Sequence, residues 1–120
     1  MKTKILLSFL CLAACLHVVA QEFTVNGIKY EVLSAGDRTC EVYGGNASGD
    51  VVIPATVQDP STEVGYNVTR IGNSAFQNCS SLTSITIPSS VTSIGIEAFW
   101  GCSSLTSITI PSSVISIGEY

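Results

Sequence analysis

A nucleophile needs a base beside it, and this sequence has few residues able to supply such a pair. The one histidine, His17, stands in an N-terminal stretch with the character of an export signal. Removal of that stretch leaves no imidazole for a Ser-His or Cys-His pair. Serine is abundant, but Ser80, Ser81 and Ser84 recur as Ser103, Ser104 and Ser107 at one fixed interval. That recurrence assigns them to turns and to an exposed strand face. Asp37 and Glu41 are the types that act as acid and base in glycoside hydrolysis, yet nothing in the sequence places an apolar pocket beside them to split their pKa values. The run Gly44-Gly45-Asn46-Ala47-Ser48-Gly49-Asp50 has the glycine content of a phosphate or calcium loop, but no lysine follows the glycines and the acids are too few for a ligand set. It reads as a turn between two strands. No Cys-x-x-Cys or neighbouring histidine suggests a metal. The sequence predicts no catalytic, cofactor-binding or metal site, and therefore no enzyme.

Charge and processing narrow the class further. From Gln21 onward nine acidic residues face three basic ones, a net charge of minus six. Such a surface repels phosphate backbones, and no Lys/Arg cluster offsets it, which excludes nucleic acid as a partner. Residues 1–20 read as the export signal itself: Lys2 and Lys4, the apolar stretch Ile5 to Cys15, then Val18-Val19-Ala20 as a small-residue cleavage site before Gln21. The apolar run falls short of the roughly 20 residues that a membrane span needs. No transmembrane segment is expected after cleavage, and the product is secreted or held at the cell surface. A second processing reading starts from Leu12-Ala13-Ala14-Cys15, which looks like a bacterial lipobox and would leave a lipid anchor on Cys15. Against it, Leu16-His17-Val18-Val19 would follow the anchor where a polar tether is expected. Cleavage leaves the odd set Cys40, Cys79 and Cys102, which gives little support to a disulfide scaffold. The sequons at Asn46, Asn67 and Asn78 matter only in a host with glycosylation machinery.

The elements that position these residues follow from a repeat. Residues 68–90 and 91–113 align as Val-Thr-x-Ile-Gly-x-x-Ala-Phe-x-x-Cys-Ser-Ser-Leu-Thr-Ser-Ile-Thr-Ile-Pro-Ser-Ser, differing only at Arg70/Ser93, Asn73/Ile96, Ser74/Glu97, Gln77/Trp100 and Asn78/Gly101. A third copy starts at Val114 and covers residues 114–120. The 23-residue period lies in the leucine-rich-repeat range. Within a copy, Leu82, Ile85 and Ile87 have the L-x-x-I-x-I spacing of a short strand with alternate side chains inward. Pro88 ends that strand, Ser89-Ser90 turns the chain, and Val91 and Ile94 face inward again. Gly95 permits a bend, and Ala98-Phe99-x-x-Cys102 spaces its apolar residues for one side of a short helical turn. One coil has nothing to bury against until the next stacks on it, so repetition makes the core. Cys79 and Cys102 fit as a column of small buried side chains.

The pattern Ile-Pro-x-x-Val-x-x-Ile-Gly-x-x-Ala-Phe-x-x-Cys-x-x-Leu-x-x-Ile, from Val68 onward, resembles the BspA-type leucine-rich repeats of bacterial surface proteins. The resemblance implies a protein or cell-surface ligand and adhesion to host proteins, host cells or other bacteria; the family has no catalytic residues to carry over. The predicted fold is a leucine-rich-repeat solenoid, mainly β with short helical turns. Residues 51–120 form the repeats, with a degenerate first coil near Val51 whose Ile53-Pro54-Ala55-Thr56-Val57 echoes the repeat, and an insertion at 58–67. Residues 21–50 form an N-terminal β-hairpin cap, signalled by Asn26-Gly27 between alternating residues. A C-terminal cap is missing, and the chain is expected to be a piece of a longer protein, since such solenoids need about three repeats and a cap. The candidate binding surface is the outward strand face, Ser84 and Thr86 in one copy and Ser107 and Thr109 in the next. Trp100 joins it as an exposed aromatic residue of a type enriched at interfaces. The alternative is a spacer or recognition arm of a larger extracellular protein, including a hydrolase whose catalytic part lies elsewhere.

Overall fold

The computed structural model describes residues 21–118. The export signal read over residues 1–20, with Cys15 and His17, lies outside the described residues, as do the last two residues of the third copy. Ten strands follow in order: β1 (Glu22–Val25), β2 (Ile28–Ser34), β3 (Thr39–Gly45), β4 (Gly49–Val52), β5 (Thr56–Gln58), β6 (Gly65–Ile71), β7 (Leu82–Thr86), β8 (Ser93–Ile94), β9 (Ser107–Thr109) and β10 (Ser116–Ile117). They form a long sheet, β1-β2-β3-β6-β8-β10 with β5 beside β6, and a short sheet, β4-β7-β9. From β3 onward, apart from the β5–β6 hairpin that stays in the long sheet, the chain passes alternately between the two sheets. Each new strand lies parallel to the one it stacks on: β6 on β3, β8 on β6 and β10 on β8 in one sheet, β7 on β4 and β9 on β7 in the other. This alternation is a coil climbing one level per repeat, with the apolar residues of both sheets facing each other.

The core follows the repeat spacing. Leu82, Ile85, Ile87, Val91 and Ile94 are buried between the sheets, with Ala75, Phe76 and Ala98 closing one side. Each of the Leu, Ile, Val and Phe side chains contributes roughly 1.5–3 kcal/mol when taken from water. Upstream, Asn26-Gly27 makes the two-residue turn between β1 and β2 with φ of 52° and 80°, as a type I′ turn demands. Phe23, Tyr30 and Tyr66 cluster inside this end, with ring centroids 5.5 and 5.8 Å apart. The segment read as an insertion forms a hairpin, β5 antiparallel to the start of β6, and the buried Asp59 ties its loop. Its carboxylate accepts from the Ser61 amide and hydroxyl, both at 2.9 Å, and from the Gln21 side-chain amide at 2.8 Å.

Two local expectations change. The Ala-Phe-x-x-Cys segments are not helical turns, and no helix occurs among the described residues. Positive φ at Ser74, Asn78, Glu97 and Gly101 breaks each run into β-turns, closed by bonds such as Cys79 N–H to the Phe76 carbonyl at 3.1 Å. Gly95, read as a bend, does not have positive φ. Its reason is contact between levels: a Cβ there would lie 2.6 Å from the Asn73 amide nitrogen, and one on Gly118 would lie 2.6 Å from that of Ile96. The repeated glycine lets one coil settle on the last.

Candidate binding surface

Side chains alternate across a strand, so burying Ile85 and Ile87 turns Ser84 and Thr86 to the outer face of the short sheet. The parallel register pairs Ser84 with Ser107 and Thr86 with Thr109, and Thr86, Ser107 and Thr109 are exposed while Ser84 is partly so. The ladder also has an earlier rung. Asp50 pairs with Ser84 and Val52 with Thr86, making one row of Asp50, Ser84 and Ser107 and a second of Val52, Thr86 and Thr109, with rungs about 4.8 Å apart. Asp50 and Val52 escape a reading based on residue type because Gly44 to Asp50 has turn composition. Their signal is positional: they precede Ile53-Pro54 by the offsets at which Ser84 and Thr86 precede Ile87-Pro88.

The chemistry of the face is that of short hydroxyls, with one carboxylate and the exposed Val52 side chain at its edge. Asp50 Oδ1 accepts from the Ser84 hydroxyl at 2.8 Å and the Thr83 hydroxyl at 3.0 Å. The Ser84 bond, then the Thr83 bond, holds the Asp50 carboxyl below its ordinary value, so at neutral pH this corner is anionic. Other repeat hydroxyls serve the stack. Ser90 donates to the Val68 carbonyl at 2.7 Å and Ser113 to that of Val91 at 2.8 Å, each reaching back one level. The partly buried Cys102 thiol does the same toward the Phe76 carbonyl at 3.0 Å, and Cys40, Cys79 and Cys102 are all free. Burial pushes the Cys40 thiol up to about 11, with the Glu41 charge adding to it.

Trp100 is not part of the ladder. It lies about half exposed on the turn between β8 and β9, beside Phe99, Ala98, Ile94 and Ile117 around an open apolar cavity of about 320 Å³. The acidic pair considered for catalysis has separate partners: Asp37 is held by Ser34 in the turn after β2, whereas Glu41 lies 3.0 Å from Arg70 in an ion pair. Across the outer face of the long sheet, Glu22, Glu31, Glu41 and Arg70 stand in one row. Burial raises the Glu41 carboxyl, Arg70 opposes this, and Glu31 reinforces it. Among the described residues, no three His, Cys, Asp or Glu side chains come together as a metal site, and no helix is long and apolar enough to cross a membrane, a statement that does not concern β-barrels.

Comparison with known proteins agrees with this geometry. A leucine-rich repeat protein from Bacteroides ovatus superposes with a TM-score of 0.69 at 39% identity, over 77% of this chain and 24% of that one. A second, from Bacteroides capillosus, gives 0.71 at 32% identity over 82% and 71%. A leucine rich cell surface protein from Faecalibacterium prausnitzii gives 0.69 at 34% identity over 84% and 27%. The chain thus spans about a quarter of the length of the first and third. A search of curated protein sequences found no match. The pattern that defines the BspA type leucine-rich repeat region (6 copies) matches residues 60–120, and together with the coil geometry and these relatives it places the chain in the BspA-type leucine-rich repeat family.

Proposed function

We propose that this chain is an extracellular or cell-surface binding module acting in adhesion to host proteins, host cells or other bacteria. We take the outer face of the short sheet as its contact surface. One observation carries this reading: Asp50, Ser84 and Ser107, with Val52, Thr86 and Thr109, stand in two registered rows on a parallel sheet. Such a face offers the same shallow pair of hydroxyls at the Ser84/Thr86 and Ser107/Thr109 levels, beside a carboxylate and an exposed valine at the Asp50/Val52 level. It suits an extended partner held by many modest contacts, whose sum grows with the number of levels engaged. The surface-type family and the cell-surface relative support the location. The test is binding of the purified chain to immobilised extracellular-matrix proteins, epithelial cells and partner bacteria. Saturable binding to one of these is expected, and its absence from all three would sink the adhesion reading.

A second reading makes these repeats a spacer or recognition arm in a larger extracellular protein. It draws support from the small share of the Bacteroides ovatus and Faecalibacterium chains that this one covers. Saturable binding by the 120-residue chain alone favours the first reading; binding only by a longer native form favours the second.

A further inference from the structure

The outer face of the long sheet sets like charges side by side. Glu22 pairs with Glu31 and Glu31 with Glu41 across β1, β2 and β3, and Arg70 on β6 stands next to Glu41 at the end of the row. Side chains directly opposed on neighbouring strands have Cβ atoms roughly 5 Å apart, and like charges placed so are destabilising. Each end of the acidic row has a partner. Tyr43 donates its hydroxyl to Glu22 at 2.9 Å, and Arg70 Nε lies 3.0 Å from Glu41 Oε1. Glu31, in the middle, has a carboxylate on either side. Lys29, exposed two residues along the same face of β2, makes no ion pair among the described residues. The guanidinium offsets the row only in part. Its Nε is off the line that a hydrogen bond to Glu41 needs. Its terminal nitrogen is drawn 3.4 Å from Asn73 Oδ1, an oxygen that already accepts from the Ile96 N–H at 2.9 Å. Water reaches Glu41 poorly: its side chain is 16% exposed and lies over Gly72, where a Cβ would meet Glu41 Oε1 at 3.1 Å. The Glu31 and Glu41 carboxyls are within hydrogen-bonding reach of each other, and two ionised carboxyls, which only accept, hold no such bond without a proton between them.

We propose that Glu31 and Glu41 are a proton-sharing carboxyl pair, which ties the N-terminal strands to β6 more firmly in mildly acidic surroundings than at neutral pH. At neutral pH the two carboxylates repel across the β2–β3 pair. One proton turns that repulsion into a hydrogen bond from Glu41 to the Glu31 carboxylate. The other groups near Glu41 do not take this role: Tyr43, on its own strand, is engaged with Glu22, Cys40 points into the core, and the neighbour beyond Arg70 in the row is the uncharged Ser93. Burial first, and Glu31 with it, raise the Glu41 carboxyl above its ordinary value against the pull of Arg70. A raised folded value means that the folded state holds the proton more tightly than the unfolded chain does. The stability this adds is complete below the unfolded glutamate value, about 4.3, and is lost as pH rises through the higher folded value.

The test begins with a carbon-13 NMR titration of the side-chain carboxyls in the 120-residue chain. Glu41 is expected to take up its proton with a midpoint above about 4.3, and Glu31→Gln should bring that midpoint down. Urea unfolding reads the consequence. The parent's midpoint should be about 0.2–0.5 M higher near pH 4.5 than at pH 7. Glu31→Gln should raise the midpoint at pH 7 and remove most of its dependence on pH. Glu63→Gln, which removes the same charge from the exposed loop between β5 and β6, should leave that dependence in place and so separates the pair from the net charge of the chain. A Glu41 titration midpoint at or below about 4.3 overturns the proposal whether or not the variants fold. Equal pH dependence in Glu31→Gln and Glu63→Gln overturns it as well.

Discussion

Asp59 shows how much one side chain organises at the N-terminal end. Burial alone would push its carboxyl up, but the bonds from the Ser61 amide, Gln21, the Ser61 hydroxyl and Thr62 outweigh that and hold it below its ordinary value. A depressed folded value means that the folded state favours the ionised form. Its contribution to stability is therefore complete above the unfolded aspartate value, about 3.9, and is lost as pH falls through the lower folded value. Asp59→Asn should destabilise the chain at pH 7, and the gap from the parent should shrink as the pH falls below about 4, measured by urea unfolding at both ends of that range. A gap of the same size at both pH values would mean that the charge of Asp59 is not what its partners hold. Side chains of the types that act as nucleophiles have structural work here: Ser90, Ser113 and Cys102 donate to carbonyls one level back. Their recurrence in the repeat is explained by stacking.

Among the elements, one coil sits close against the last at the repeated glycine. Gly95→Ala places a Cβ against the Asn73 amide and the Gly72 carbonyl carbon, 2.6 and 2.8 Å away, and main-chain atoms cannot step aside cheaply. A loss of about 1–3 kcal/mol is expected, read as a lower urea midpoint. Gly36→Ala meets nothing within 4 Å and should leave the midpoint nearly unchanged; equal effects of the two would remove glycine-mediated stacking from the account. The strands were legible in the sequence because Leu82, Ile85 and Ile87, then Val91 and Ile94, carry the spacing of buried strand faces, and Asn26-Gly27 names its own turn. The Ala-Phe-x-x-Cys turns were not, since an i, i+1, i+4 apolar spacing is shared by a helical turn and by two successive β-turns. The left-handed residues that decide between them include Ser74 and Glu97, types that do not announce positive φ. Among the candidate surface residues, the outward placement of Ser84, Thr86, Ser107 and Thr109 followed from alternation alone. Asp50 and Val52 were hidden by the turn-like run before them, and the isolation of Trp100 from the ladder depends on how the turns fold.

From β3 onward the described chain is a stack in which each level supplies one wall of the next level's core, and its outer face repeats Ser84/Thr86 as Ser107/Thr109. Asp50 at the edge of the ladder, with the acidic balance of the chain, gives that face a weakly anionic character. In the proposed mode of contact a partner meets hydroxyls at two successive levels, Ser84/Thr86 and Ser107/Thr109, and a bulky charge placed on both levels would interrupt that contact without touching the core. The most direct measurement is therefore the affinity of the Thr86→Lys, Thr109→Lys double variant for whichever matrix protein, epithelial surface or bacterial partner binds the parent chain, with thermal unfolding run alongside to confirm an unchanged fold. The account predicts an affinity loss of at least about tenfold with an unaltered unfolding temperature; an affinity equal to the parent's would show that the ladder is not the contact surface.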